Sequence, residues 1–241
     1  SGGGSGANVP YGSYQMLATL RLSFAGECPD PLAIAATNIG GGGSMASEAW
    51  IEAVARADDY RRELDLNRAV AQVIYRQGGI RYQRETLVSA PGQAVVMRLS
   101  ADAPGSITFR ATLERSEHAT IAADEGDCVM NGALPDGVGG LGMRFAGRLR
   151  VRTRGGSVTM QDGALVVNGA DEALLFVTAA TNYDGFGGRC TRDPGRACLT
   201  DMDALTAQRW DDILRTHVAD YRHYFGRVTL DLQDGLPASA A

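Results

Sequence analysis

The chain has 241 residues, a length that fits one large domain or two small ones. Its 23 cations and 28 carboxylates leave a net charge of −5, which argues against the basic face that a nucleic-acid binder uses to displace counterions. Apolar residues make up 44% and charged residues 21%, ordinary globular proportions, and no apolar run approaches the roughly 18 residues needed to cross a bilayer.

Every cation is Arg, a bias that reads as GC-rich bacterial codon usage and leaves no lysine for Schiff-base or general-base chemistry. The start, Ser1-Gly-Gly-Gly-Ser-Gly6, shows neither a basic region nor an apolar one, so no signal peptide is expected. Gly40 to Ser44 reads as a flexible loop. Ser47 to Asp58 reads as a short helix, with Ser47 as N-cap and Trp50, Val54 and Ala57 on one face.

From Tyr60 to Ala180 the period is two. Tyr60–Leu66, Ala69–Tyr75, Ile80–Val88, Gln93–Leu99 and Ser106–Leu113 read as strands, with Gly78-Gly79 as a two-residue hairpin turn. Ile107, Phe109, Ala111 and Leu113 fall on one face. Gly142–Arg154 alternates Met143, Phe145, Leu149, Val151 and Thr153 with Arg144, Arg148, Arg150, Arg152 and Arg154. That arginine stripe reads as a solvated sheet face or a charge-defended edge. Val158–Met160 and Ala164–Val167 flank the hairpin dipeptide Asp162-Gly163, and the near-continuous apolar run Glu172–Ala180 predicts a central strand covered on both faces. Many short strands with turns every eight to twelve residues predict a mainly β chain: a large antiparallel β-sandwich over residues 1–200, in which residues 25–58 break the pattern as a loop with the short helix.

Residues 201–241 read as one linker helix, Asp203 to Gly226, and a final strand, Arg227–Leu232. Leu205, Trp210, Ile213, Leu214, His217, Val218, Tyr221, Tyr224 and Phe225 form the helix's apolar stripe. His217 on that stripe reads as a packed, hydrogen-bonded residue rather than a catalytic one.

Catalytic signatures do not emerge. No GxSxG, HExxH or phosphate-loop pattern occurs, and the adjacent carboxylates Asp58-Asp59, Asp124-Glu125 and Asp211-Asp212 read as surface charge. Neither a metal nor an organic cofactor is expected, since the three histidines and four cysteines lack zinc-site spacing. Cys190 and Cys198 bracket a polar, turn-rich stretch and are either a local disulfide, which places the protein outside the cytoplasm, or two unrelated thiols. The loop Thr181–Arg189 offers Asn182, Tyr183, Asp184 and Phe186. Rings and short polar groups there suit sugar recognition, and an Asx turn with aromatic plugs is the alternative.

Five phrases in order carry a family resemblance: Tyr11–Leu20, Asp59–Asn67, Arg81–Glu85 with Ser89-Ala-Pro91, the Thr178–Gly188 loop, and His217–Asp231. Together they resemble the N-terminal region of the family 95 glycoside hydrolases, the inverting α-L-fucosidases. The resemblance implies a β-sandwich joined by a helical linker to an (α/α) barrel that holds the catalytic acid and the water-activating residues. It therefore implies a chain inactive alone, with a fucosylated oligosaccharide as substrate of the parent enzyme. The barrel would be its partner, in cis or as another chain, and the setting periplasmic or secreted, without nucleic acid or membrane. A carbohydrate-binding sandwich without catalysis, or the same domain of a disaccharide phosphorylase, are the alternative readings.

Overall fold

The computed structural model describes residues 16–24, 57–183 and 191–228. Among these described residues, twelve strands form two antiparallel sheets. The smaller has the order β1 (Thr19–Phe24), β6 (Ile107–Glu114), β11 (Ala164–Ala170) and β10 (Ser157–Gln161). The larger begins with β2 (Asp58–Asp65), β3 (Val70–Gln77), β4 (Ile80–Ser89) and β5 (Ala94–Ala101). It continues through β12 (Glu172–Thr181), β9 (Leu141–Arg154), β8 (Asp127–Pro135) and β7 (Ala119–Asp124).

The hairpins follow the turn chemistry. Gly78 and Gly79 both take positive φ, the backbone that a two-residue turn needs to match strand twist, and Gln77 faces Ile80 across it. Asp162-Gly163 does the same between β10 and β11. Between β7 and β8 the pair Glu125-Gly126 makes a turn of the same hand, with Asp124 opposite Asp127.

The core has two parts, split by the larger sheet. Between the sheets lie Ile107, Phe109, Ala111 and Leu113 of β6, the face expected from its alternation, packed against Leu149, Leu165, Val167 and Leu175. On the far side of the larger sheet, Val70, Leu87, Val96, Leu174 and Phe176 pack under two helices. These are α1 (Pro194–Thr206) and α2 (Trp210–Phe225), which contribute Met202, Leu205, Trp210 and Ile213. Strand β12 therefore is buried on both faces, with Ala173 and Leu175 toward one core and Leu174 and Phe176 toward the other. A sandwich with helices on its outer side is the architecture.

Three expectations change. The single helix from Asp203 is two helices. The first starts at Pro194, where the Asp193 side chain accepts from the Arg196 N–H at 3.1 Å and proline occupies the first turn, so the Asp-Pro-Gly stretch is a helix start. The second is separated from it by Arg209 in extended conformation (φ −83, ψ 154). Strands β1, β7 and β8 were not expected at all. Asp58 opens β2, whereas the rest of the proposed Ser47 helix, residues 47–56, lies outside the described residues, as does 229–232 of the final strand. Thr200, the expected sandwich boundary, falls inside α1.

Candidate functional site

The ends of the β9 arginine stripe, Arg144 and Arg154, are solvated as expected, but its middle, Arg148 to Arg152, is neither solvated nor at an edge. Strand β9 sits between β12 and β8, and its arginine face lies beneath α1. Asp127 at the start of β8 is 1% exposed and collects the stripe: Arg148 Nη1 donates to it at 2.6 Å, Arg150 Nε at 2.7 Å and Arg150 Nη2 at 2.9 Å. Arg148 also donates to Asp124 at 2.6 Å, so one member of the Asp124-Glu125 pair is bound to a buried guanidinium. Arg150 continues to Asp203 of α1 at 2.8 Å and to the Thr206 hydroxyl at 3.2 Å. Its hydrogen bonds to Asp127 raise its basicity further, against the desolvation that lowers it. Arg152 donates to the carbonyls of Thr206 and Gln208, the latter at 2.8 Å, and so takes up one orphan acceptor at the end of α1 and one in the turn that follows it. The stripe is a fastening for the helix layer.

Beside this fastening a cleft of about 360 Å³ opens, lined by Arg98, Arg152, Thr153, Arg154, Glu172, Leu174, Arg209, Trp210 and Asp211. Sequence reasoning missed it, because its arginines come from β5, β9 and the helix junction, and no local pattern unites them.

Asn182 is buried and committed to the fold. Its backbone N–H donates to the Arg144 carbonyl at 2.9 Å, and its side-chain oxygen accepts from the Arg144 N–H at 3.0 Å, which extends the β12–β9 ladder by one residue. Tyr183 is 43% exposed beside it, with its N–H on the Thr181 hydroxyl. Asp184 and Phe186 lie outside the described residues. Cys198 is a free, buried thiol whose Sγ donates to the Ala146 carbonyl at 3.5 Å, and burial pushes it from the ordinary 9.0 up to about 11. Cys190, its suggested partner, lies outside the described residues.

His217 is packed and hydrogen-bonded. Its Nε2 stands 3.1 and 3.2 Å from the carbonyls of Arg68 and Ala69, which requires that nitrogen to carry the proton. With Tyr221 OH on the Leu66 carbonyl and Arg222 Nε on that of Asn67, α2 grips every carbonyl of the β2–β3 turn from Leu66 to Ala69. Beyond that grip, Val88, Ala90, Tyr221, Tyr224 and Phe225 line an apolar hollow of about 430 Å³.

Residues 1–186 match the family described as Glycosyl hydrolase family 65, N-terminal domain. The chain belongs to this family. Its curated relatives carry fucosidase names. One is "Alpha-L-fucosidase 2" of Arabidopsis thaliana, 31% identical over 197 residues, which cover 72% of this chain and 23% of that protein. Another is "Probable alpha-fucosidase A" of Aspergillus niger, 26% identical over 236 residues, 93% of this chain and 26% of that one. The chain thus spans about a quarter of the length of the curated relatives it matches. Among solved structures it is similar to a "Putative kojibiose phosphorylase from human microbiome", at TM-score 0.48 and 9% identity, over 71% of this chain and 25% of that one. The two-sheet architecture of this glycosyl-hydrolase domain and its fucosidase-named relatives agree with the family resemblance of its sequence.

Proposed function

We propose that the chain is the N-terminal sandwich of an exported bacterial α-L-fucosidase that releases terminal α-L-fucosyl groups from glycans with inversion, its catalytic groups lying in a separate (α/α) barrel. The carrying observation is the 31% identity over 197 residues to a protein named alpha-L-fucosidase 2. Inverting hydrolysis takes two carboxyl-type groups about 6.5–9.5 Å apart, one protonated and one ionised, with water between. The buried carboxylates among the described residues are poor candidates for that pair. Asp127 accepts three guanidinium bonds, and Glu85 lies 3.4 Å from Arg98, so both are already committed to structural ion pairs. The apolar hollow at the end of α2 supports docking of the barrel there, since exposed Val88, Tyr224 and Phe225 would be covered by it.

The test compares the 241-residue chain with a protein that also carries the barrel. With an aryl α-L-fucoside, the longer protein releases fucose whose first NMR signal is the β-anomer, and the chain alone releases none. Turnover by the chain alone overturns the reading, as does a longer protein that leaves fucosides intact. Tyr183, exposed at the rim, would wall the sugar site, so Tyr183→Ala in the longer protein raises KM with kcat little changed. That exposed ring also favours a second reading, a sandwich that binds sugar without cleaving it. Saturable heat on titrating the isolated chain with fucosylated oligosaccharides, lost in Tyr183→Ala, would establish it.

A further inference from the structure

We propose that the cleft between the larger sheet and the start of α2 is a binding site for a small oxyanion, a phosphate- or carboxylate-bearing molecule of about monosaccharide size. Four guanidinium groups line it, from Arg98, Arg152, Arg154 and Arg209, against two carboxylates, Glu172 and Asp211. The chain as a whole carries −5, so the excess of positive charge here is local.

The four are not equivalent. Arg98 is neutralised: its Nε and Nη2 both donate to Glu172, at 2.9 and 2.6 Å, and its guanidinium lies 5.8 Å from the centre of the Trp210 ring. Arg154 stands 3.6 Å from Asp171 and is mostly exposed. Arg152 is fixed by two carbonyls, which orient its fork without cancelling its charge. Arg209 makes no hydrogen bond or ion pair with its side chain among the described residues and reaches the cleft from the turn between the helices.

Among the described residues, two positive charges therefore face one hollow without carboxylate partners. One of them is held rigid by the fold and one is free to close on a ligand. The amino end of the 16-residue α2 opens on the same side and adds its partial positive charge. Guanidinium forks match the paired oxygens of carboxylate and phosphate. Asp211 on the wall offers a hydrogen-bond acceptor to hydroxyls on the rest of the molecule. The cleft's volume of about 360 Å³ admits a small ligand and not a polymer.

The experiment is calorimetric titration of the 241-residue protein in low-salt, non-phosphate buffer, with inorganic phosphate in one arm and glucuronate in the other. At least one anion gives saturable one-to-one heat. Binding of phosphate alone identifies a phosphoryl ligand, and binding of glucuronate alone identifies an acidic sugar. Arg209→Ala weakens that binding by about tenfold, one charge-assisted bond's worth. Asp211→Asn, which removes a negative charge from the wall, tightens it, a response that no purely structural role of the cleft produces. Melting curves confirm that both variants fold, and Arg154→Ala provides a further cation to remove. Flat titrations with both anions overturn the proposal, and so does unchanged affinity in Arg209→Ala.

Discussion

Asp127 shows how much one side chain decides. It is buried at the first position of β8 and receives three N–H bonds of 2.6 to 2.9 Å from two arginines, one of which, Arg148, has a side chain only 6% exposed. Desolvating such a group is repaid only while its partners stay in place, so removing one partner leaves charge stranded in a poor solvent. Asp127→Asn keeps the shape and removes the charge, and it is expected to lower the unfolding free energy by about 3–5 kcal/mol in a urea titration. Arg154→Ala is the control. Its pair with Asp171 is long at 3.6 Å and its side chain is 69% exposed, so the expected loss is within about 1 kcal/mol. Equal losses in the two variants would show that the buried cluster is not what fixes this part of the sheet. The same contrast holds for the loop residues. Asn182, a polar residue at the end of a strand, looks like a ligand for sugar hydroxyls, yet both groups that it spends on Arg144 are backbone-directed and 38 residues away in sequence.

At the level of elements, the join between α1 and α2 depends on Arg152. The last carbonyls of a helix lack intrahelical donors, and here a strand residue 54 positions earlier supplies that of Thr206 and also holds the Gln208 carbonyl in the turn beyond. Arg152→Met retains much of the aliphatic stem, removes the guanidinium that lies 5.6 Å from the centre of the Phe176 ring, and leaves those carbonyls to water. The expectation is a loss of about 1–3 kcal/mol and faster amide exchange confined to 203–213, read by mass spectrometry. Exchange unchanged in that segment would mean that Trp210 and Ile213 alone hold the junction. The elements legible in the sequence are those whose cause is local: the period of two in β6, the Gly78-Gly79 and Asp162-Gly163 turns, and the two-sided burial of β12. Strands β7 and β8 escaped because Ala119–Asp124 offers few bulky side chains, and the neighbouring register is fixed from β9. The meaning of the arginine stripe was not legible for a related reason. Its acceptors, Asp127 and Asp203, lie 23 and 53 residues away, on elements whose own positions depend on that contact. The cleft beside it shares that history, being assembled from residues between 98 and 211.

For the whole molecule, the question is whether the sandwich stands without its helices. A two-layer sandwich turns one face of each sheet to water, but the outer face of the larger sheet presents Val70, Leu87, Val96, Leu174 and Phe176, all buried by α1 and α2. Burial of a large apolar side chain is worth about 1.5–3 kcal/mol, and Met202, Leu205, Trp210 and Ile213 on the helices add to the five on the sheet. Even after allowance for a compact unfolded chain, that exceeds much of the 5–15 kcal/mol that stabilises a typical domain. The helices also neutralise Arg150 through Asp203, so their loss exposes apolar surface and unbalances charge together. A chain ended after Arg192, just before α1 and its Asp193 cap, is therefore expected to lose its cooperative thermal transition and to bind an apolar dye, while keeping a strand-rich far-ultraviolet spectrum. If the shortened chain instead melts in one sharp transition close to that of the full chain, the helix layer is an ornament on an independent sandwich. The fold would then be two layers thick in energy as well as in sheet count. If it behaves as expected, α1 and α2 are part of the domain itself, and any module that follows them is tied to the sheet through helices that the sheet cannot release.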